Sequence, residues 1–192
     1  MHLCAPQTLQ ALFEELVALD RANMEAHFSA VGDRFESSKR LRSLDQEWQD
    51  GAEFLIYYQY GGIAGYLECM PNANGGLAVR SLQTDVRYSR QGTLRALLGA
   101  AYAALATTPF VKVTSGAHPS NAVSIEFHLG LGFQVVGRRE ASHGGERILF
   151  ETQVDTLRQR LARFNRAGNA VERTSCRKLQ AKNAEQQARD AV

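Results

Sequence analysis

Residues 82–98, LQTDVRYSRQGTLRALL, contain a change from strand to helix on which the architecture of the chain depends. The residues up to this change, 77–84, have the composition of a strand. The second half has apolar residues at helical spacing, continuing past the quoted stretch: Leu94, Leu97, Leu98, Ala101, Tyr102 and Leu105. A helix that begins directly after a strand leaves its first backbone N–H groups without partners. The intervening turn, 89–93, is therefore predicted to bind an anion.

Two residues in this turn strengthen the prediction. Gly92 has no side chain, so a ligand can approach the backbone closely, and Arg90 adds a positive charge beside it. We interpret the turn as a site for the pyrophosphate of a coenzyme. The alternative is an ordinary connecting turn, because a single glycine between a strand and a helix is common.

The composition predicts one domain followed by a tail. With 192 residues, of which 44% are hydrophobic, the chain can build one sizeable core, which we place in residues 1–165. Residues 166–192 are rich in Ala, Gln, Asn, Arg and Lys and are expected to be mobile or loosely helical.

Charge and cysteine usage exclude several classes of function. A formal net charge of +2 does not favour nucleic acid as a partner, and no apolar run is long enough to span a membrane. The three cysteines, Cys4, Cys69 and Cys176, lack metal-binding spacing, which argues against a metal site and a disulfide framework. Their scattered positions suit a cytoplasmic protein.

The order of elements predicts an α/β fold in which a mixed sheet is covered by helices on both faces. Two helices are predicted first, over 7–31 with Thr8 as its cap and Gly32 at its end, and over 34–48 with a break at Asp50 and Gly51. The remaining elements follow in the order hairpin, strand, helix, strand, helix, two strands and helix. Their predicted ranges are 54–58, 63–70, 77–84, 94–105, 110–115, 120–129, 133–136, 147–151 and 154–164, and residues 1–6 are predicted as an edge strand.

The strand-to-helix change resembles the acyl-CoA-binding signature of the GNAT superfamily of N-acyltransferases. That signature is a hydrophobic strand end, then Arg/Gln-x-x-Gly-x-Gly/Ala and a Leu-rich helix. Gly92 falls on its first glycine. Ser89 stands where the family prefers Arg or Gln, and Leu94 where a second small residue is usual.

A second stretch, 121–133, carries the same resemblance. NAVSIEFHLGLGF is similar to the family's later motif, Asn-x-x-Ala/Ser-x-x-x-Tyr/His-x-x-x-Gly-Phe, with matching spacing throughout. The two motifs occur in the family's order and separation, and the resemblance covers roughly residues 54–150. It implies the GNAT fold, with a mostly antiparallel twisted sheet between layers of helices.

The resemblance implies acetyl-CoA as co-substrate, without a metal, and direct attack of an amine on the thioester. It implies that backbone N–H groups near Thr84 polarise the carbonyl and that Asn121 contacts the pantetheine arm. The residues that it assigns to the coenzyme are Leu82, Gln83, Thr84, Ser89, Arg90, Gln91, Gly92, Thr93, Leu94 and Asn121.

Two residues are candidates for proton transfer. His128 occupies the position where the family often has a tyrosine that protonates the leaving thiolate, and imidazole can donate a proton near neutral pH. Glu68 lies on the strand next to the signature strand and is the candidate general base. The alternatives are a helix-end histidine bound to a carbonyl and a strand glutamate that faces water.

The predicted function is acetyl transfer from acetyl-CoA to a primary amine of a small molecule or amino-acid-like compound. One alternative, favoured by Ser89 and Leu94, is a GNAT-fold module that senses or interacts without catalysis. Another is an acyltransferase that modifies a lysine or an N-terminus of a protein. The oligomeric state stays open, with a homodimer among the options.

Overall fold

The computed structural model describes residues 8–30, 32, 34–88, 90–140, 146–164 and 172–175. Its helices are α1 (Leu9–Ser29), α2 (Ser37–Gln49), α3 (Thr93–Leu105), α4 (Ala122–Gly130) and α5 (Val154–Leu161), with short 3-10 turns at Val86–Tyr88 and Ala162–Phe164. Its strands are β1 (Glu53–Gln59), β2 (Gly62–Pro71), β3 (Leu77–Thr84), β4 (Lys112–Ala117), β5 (Gln134–Glu140), β6 (Glu146–Gln153) and β7 (Glu172–Ser175). Each helix and strand predicted between residues 7 and 164 is present, β3 with the predicted bounds and the others with shifted ends.

The seven strands form one sheet in the order β5-β6-β4-β3-β2-β1-β7. Only the β3–β4 pair is parallel in the described sheet, and the other pairs are antiparallel, so the predicted mixed and mostly antiparallel sheet is confirmed. The β1–β2 connection is a two-residue turn in which Tyr60 and Gly61 have φ values of 51° and 86°. Left-handed backbone at both positions matches the twist of a tight hairpin.

Each face of the sheet packs against its own helices, as predicted. Alternate residues of a strand point to opposite faces, so Tyr66 faces α1 and α2 whereas Leu67 faces α3 and α5. The α1/α2 core includes Leu12, Phe13, Leu16, Leu44, Trp48, Phe54 and Ile56. The α3/α5 core includes Leu97, Leu98, Val113, Phe133, Phe150, Leu157 and Leu161. None of the described helices combines the length and apolar character needed to cross a membrane.

The helix boundaries confirm the predicted caps. Thr8 precedes α1, and its Oγ1 accepts a hydrogen bond from the Ala11 amide at 3.1 Å. Asp50 caps the end of α2, and Gly51 follows it with a φ of 94° that suits glycine.

The expectation that residues 166–192 are mobile or loosely helical is corrected at 172–175. This segment is β7, which pairs antiparallel with β1 from Glu53↔Ser175 to Ile56↔Glu172. A short strand can join a sheet edge through main-chain hydrogen bonds alone, so its composition carried no apolar signal. The predicted edge strand at 1–6 and the predicted turn at 143–145 lie outside the described residues.

The parallel pair β3–β4 opens into a cleft. Only Leu77↔Val113 and Ala78↔Thr114 are paired, although β3 continues to Thr84 and β4 to Ala117. Residues 79–84 of β3 and 115–117 of β4 therefore bound an unpaired opening, called here the β3–β4 cleft. Unsatisfied main-chain groups along such an opening can hydrogen-bond an extended ligand.

Replacing Gly65 with alanine tests how α3 is seated against the sheet. A Cβ there would lie 2.7 Å from the Gln83 carbonyl oxygen and 2.9 Å from Thr93 Cγ2. Because the first contact is with backbone, we expect Gly65→Ala to lower the free energy of unfolding by about 1–3 kcal/mol, measured by urea denaturation. Gly62→Ala, on the same strand with nothing within 4 Å, is the control. Equal midpoints for the two variants would contradict this packing.

Candidate active site

The first turn of α3 is open to solvent and has no side-chain cap within the described residues. Arg90 and Gly92 have left-handed backbone with φ values of 64° and 88°, and Gln91, Gly92 and Leu94 are exposed. The uncapped N–H groups and the charge of Arg90 form the arrangement that binds a phosphate at a helix start. Ser89, which was also assigned to the coenzyme, lies outside the described residues.

The hydroxyl of Thr93 supports a ligand at this turn. Thr93 is the first residue of α3 and is buried, and its Oγ1 has no hydrogen-bond partner among the described residues. A buried hydroxyl without a partner is uncommon in a folded protein, because its desolvation is not compensated. A phosphate oxygen at the helix start would supply the acceptor, so the residues present fit the pyrophosphate of a coenzyme.

The end of β3 is tied to α1 by an amide bridge. Asn23 Nδ2 donates to Gln83 Oε1 at 2.8 Å and to the Thr84 carbonyl at 3.1 Å. Gln83 in turn donates from Nε2 to Ser81 Oγ at 3.2 Å, whereas Leu82 packs against the α3/α5 core. The bridge holds the strand edge that was predicted to meet the pantetheine.

His128 lies near the end of α4 and is held in one tautomer. Its Nδ1 is 2.6 Å from the Ser124 carbonyl, which can only accept, so Nδ1 carries the proton. Its Nε2 is then an acceptor and takes a hydrogen bond from Ser115 Oγ at 2.9 Å. The ring stacks on Phe150 at 4.6 Å. Burial lowers the pKa of His128, although the Ser124 carbonyl opposes the shift, so the ring is neutral at physiological pH.

Ser115 connects this histidine to the β3–β4 cleft. It lies on β4 immediately after the last residue that pairs with β3. Asn121 caps α4, because its Oδ1 accepts from the Ser124 amide at 3.0 Å, and its contact with the pantetheine arm stays a prediction. The same cap orients the helix that carries His128.

Glu68 is fully buried, so the alternative in which it faces water is wrong. Its Oε2 accepts from Arg40 Nη2 at 2.5 Å. Burial and the adjacent Glu47 carboxyl raise the pKa of Glu68 to about 8, against the opposing effect of Arg40. This pKa favours the protonated acid at neutral pH, and the side chain is closed off from solvent.

Sequence reasoning missed the residues around Glu68. Arg40 binds Asp20 Oδ2 from Nε at 2.7 Å and Glu47 Oε2 from Nη1 at 2.8 Å. The sequence nevertheless contains a sign that these charged residues face the core. Asp20 lies four residues after the buried Leu16, and Arg40 lies four residues before the buried Leu44, so each shares a helix face with an apolar residue. Charged residues in register with an apolar stripe point to a buried ionic cluster.

No protein-family model and no curated sequence matches the chain, whereas solved structures share its architecture. Ard1 from Thermoplasma volcanium is similar with a TM-score of 0.57 and 15% identity, over 76% of this chain and 93% of that one. A ribosomal-protein-alanine N-acetyltransferase from Brucella melitensis gives a TM-score of 0.56 and 18% identity, over 76% and 96% of the two chains.

A third structure contains the coenzyme. It is a GNAT family acetyltransferase from Elizabethkingia anophelis with acetyl-CoA bound, with a TM-score of 0.51 and 15% identity, over 58% of this chain and 82% of that one. Identities this low establish architecture and not activity. The strand order, the single parallel pair and these similarities agree with the family that the two sequence motifs indicate, and the chain has the fold of the GNAT superfamily.

Proposed function

We propose that this protein is an acetyl-CoA-dependent N-acetyltransferase whose acceptor is a primary amine of a small molecule or amino-acid-like compound. The observation that carries the proposal is the β3–β4 cleft. On its β3 side the chain continues into α3, whose first turn has no side-chain cap, and on its β4 side lies the Ser115–His128 pair. The low-identity similarity to GNAT acetyltransferases, one with acetyl-CoA bound, supports the same activity.

The coenzyme would be held at two places. The N–H groups at the start of α3, the Arg90 guanidinium and the Thr93 hydroxyl would bind its pyrophosphate. The unpaired edge of β3 at 82–84 would hydrogen-bond its pantetheine arm through the main chain, near Asn121. Acetyl-CoA supplies the acetyl group as a thioester, and the protein contributes proximity and orientation.

The Ser115–His128 pair is proposed to transfer one proton from nitrogen to sulfur. As the neutral amine attacks the carbonyl carbon, a C–N bond forms and the C–S bond breaks, and nitrogen must lose a proton while the thiolate gains one. Ser115 Oγ can accept from the amine while passing its own proton to His128 Nε2. The imidazolium then returns a proton through Ser115 to the thiolate, which makes His128 the acid of the last step.

The assignment of Glu68 as general base stays a prediction, and it requires a pH at which the carboxyl group is ionised. A carboxyl group must be ionised to accept a proton, and a pKa of about 8 restricts this to the alkaline side. Full burial places Arg40 and Glu47 between Glu68 and solvent. An amine that arrives already neutral does not need this base.

A binding module without catalysis is the second candidate, and Leu94 favours it. The family usually has a small residue at this position, whereas the side chain of Leu94 is present and 38% exposed beside the helix start. A branched side chain there narrows the approach of a pyrophosphate to the backbone.

Replacing Gly92 tests the coenzyme site. A β-branched residue is strained at a φ of 88° and fills the open approach, so Gly92→Val should weaken acetyl-CoA binding at least about tenfold by isothermal titration calorimetry. Gly75→Val is the matched control, because Gly75 has a φ of 71°, is equally open, and precedes β3 at its opposite end. Equal affinities for both variants would refute coenzyme binding at this turn.

Shortening Leu94 separates the two candidate functions. Leu94→Ala removes an exposed side chain, so it should leave stability unchanged and tighten acetyl-CoA binding, seen as a larger rise of Tm with the coenzyme. Turnover in the parent protein favours the enzyme. Binding without turnover against a broad amine panel, with or without this substitution, favours the module.

Replacing His128 tests the proton transfer. Phenylalanine keeps the stacking on Phe150 but cannot accept from Ser115, so His128→Phe should lower kcat by about 10²–10⁴-fold. The assay follows thiol release with an amine found active in a panel screen, and the Kd for acetyl-CoA should stay unchanged. Ser115→Ala should show a similar loss, whereas an unaltered kcat in both variants would exclude this pathway.

A further inference from the structure

A buried ionic cluster lies on the α1/α2 face of the sheet and contains more carboxyl groups than guanidinium groups. Its acids are Asp20 on α1, Glu47 on α2 and Glu68 on β2, which are 3%, 6% and 0% exposed. Its bases are Arg40 on α2 and Arg80 on β3. If all three acids were ionised, the interior would hold an uncompensated negative charge, which is costly in a medium of low polarity.

The two arginines donate to four of the six carboxyl oxygens in this cluster. Arg40 donates from Nε to Asp20, from Nη1 to Glu47 and from Nη2 to Glu68. Arg80 donates to the second oxygen of Glu47 from Nη2 at 2.6 Å and from Nε at 3.0 Å. The second oxygen of Asp20 accepts from the Tyr66 hydroxyl.

One oxygen is left over, Oε1 of Glu68. It is inaccessible to solvent and receives no N–H or O–H donor from the described residues. The carboxyl groups of Glu68 and Glu47 also influence each other's ionisation: Glu47 raises the pKa of Glu68, and Glu68 lowers that of Glu47. Two adjacent buried carboxylates repel each other when both are ionised, so a proton on one of them relieves the repulsion and the excess negative charge. Since both Glu47 oxygens already accept from arginines, the proton belongs on Glu68 Oε1.

We propose that Glu68 and Glu47 share a single proton, carried by Glu68, and that neutral Glu68 is a positioning residue that holds Arg40 and Glu47 against β2. With this proton in place, two negative and two positive groups remain and the cluster is electrically neutral. The inference concerns the state of the folded protein and does not depend on the proposed acetyl transfer.

The charged groups around Glu68 act on its protonation in opposite directions. Glu47 from α2 favours the neutral acid, whereas Arg40 from the same helix opposes it. Asp20 from α1 and Tyr66 from β2 also belong to the cluster, and Arg80 from β3 acts on Glu47. Burial is the largest cause of the raised pKa of Glu68, about 8, and burial outweighs Arg40. The pKa of Glu47 is held at about 2 by Glu68 and the two arginines despite its own burial, so Glu47 is the ionised partner.

The cluster also reaches the strand that bounds the cleft. The Tyr66 hydroxyl is 3.1 Å from Ser81 Oγ on β3, and Ser81 is bonded to Gln83. Loss of the Glu68 proton at alkaline pH would therefore place an unbalanced charge beneath the β3 edge. Neutral Glu68 thus helps to fix α2 and β3 relative to each other.

The consequence for stability has a defined sign. The pKa of a glutamate is about 4.3 in the unfolded chain, whereas the pKa of Glu68 in the folded protein is about 8. Stability from the bound proton is therefore complete below the unfolded pKa and is lost as the pH rises through the folded pKa. Glutamine at this position mimics the neutral acid, because it can accept from Arg40 and donate to Glu47, but it does not titrate.

The experiment compares Tm for the parent protein and Glu68→Gln between pH 5.5 and pH 9. The Tm of the parent minus that of the variant should fall steadily up to about pH 8 and then level off. Glu151→Gln, which alters a partly exposed glutamate paired with Lys112, is the control and should give a flat difference. A flat difference for Glu68→Gln over this range would overturn the proposal, because it would mean that Glu68 is ionised throughout.

A second measurement uses the parent protein and needs no variant to fold. Carboxyl carbon NMR of the protein labelled at glutamate should show one glutamate that remains protonated at pH 6.5 and titrates near pH 8. Glu68→Gln should assign the signal by its loss. A spectrum in which every glutamate titrates below pH 6 would exclude the shared proton, whatever the outcome for acetyl transfer.

Discussion

The guanidinium of Arg40 joins three elements on the α1/α2 face of the sheet. Its three nitrogens contact one carboxyl group each from α1, α2 and β2. Burial alone would lower the pKa of Arg40, but the surrounding acidic groups hold it above its usual value, so it stays charged. Removal of one partner from such a buried set typically costs about 3–5 kcal/mol, because the others are left uncompensated. These contacts fix the positions of α1 and α2 relative to β2 and hence to the sheet.

This constraint reaches the β3–β4 cleft through short polar side chains. Tyr66 connects the cluster to Ser81, and Asn23 connects α1 to Gln83 and Thr84 at the end of the same strand. On the other face, Gly65 allows Thr93 and Leu97 to approach β2 closely. The unpaired part of β3 is therefore held from both faces, which explains how a strand with only two ladder partners on β4 keeps a defined edge.

The sequence predicted those features that depend on local pattern. The bounds of β3 were predicted as they occur, because strand formers end where Asp85 and the following turn begin. Thr8 was predicted as a cap from its position before an apolar-periodic run, and two spaced motifs indicated the fold. These signals lie within a few residues of one another, where spacing translates directly into geometry.

The features that were missed depend on contacts between distant residues. Asp20, Arg40 and Glu68 are 20 to 48 residues apart, and although the helical phase of Asp20 and Arg40 indicates burial, it does not identify Glu68 as their common neighbour. The burial of Glu68 could not be predicted from the sequence of β2 alone. Alternate residues of a strand point to opposite faces of the sheet, and the helices that cover each face determine which residues are excluded from water. The strand β7 was missed for a related reason, since it depends on the free edge of β1.

Burial favours the neutral form of both titratable groups at the candidate site, and this shapes the pH dependence of the proposed amine chemistry. Burial disfavours the imidazolium of His128, and burial together with the Glu47 charge disfavours the carboxylate of Glu68. A protonated Glu68 accepts no proton, and His128 accepts one only through Ser115, so the proposed mechanism takes the acceptor as the free amine. Rising pH increases the free amine, but above about pH 8 it also ionises Glu68 beneath β3. For the proposed acetyl transfer, these opposed effects define a pH window whose alkaline limit is set by the buried carboxyl pair.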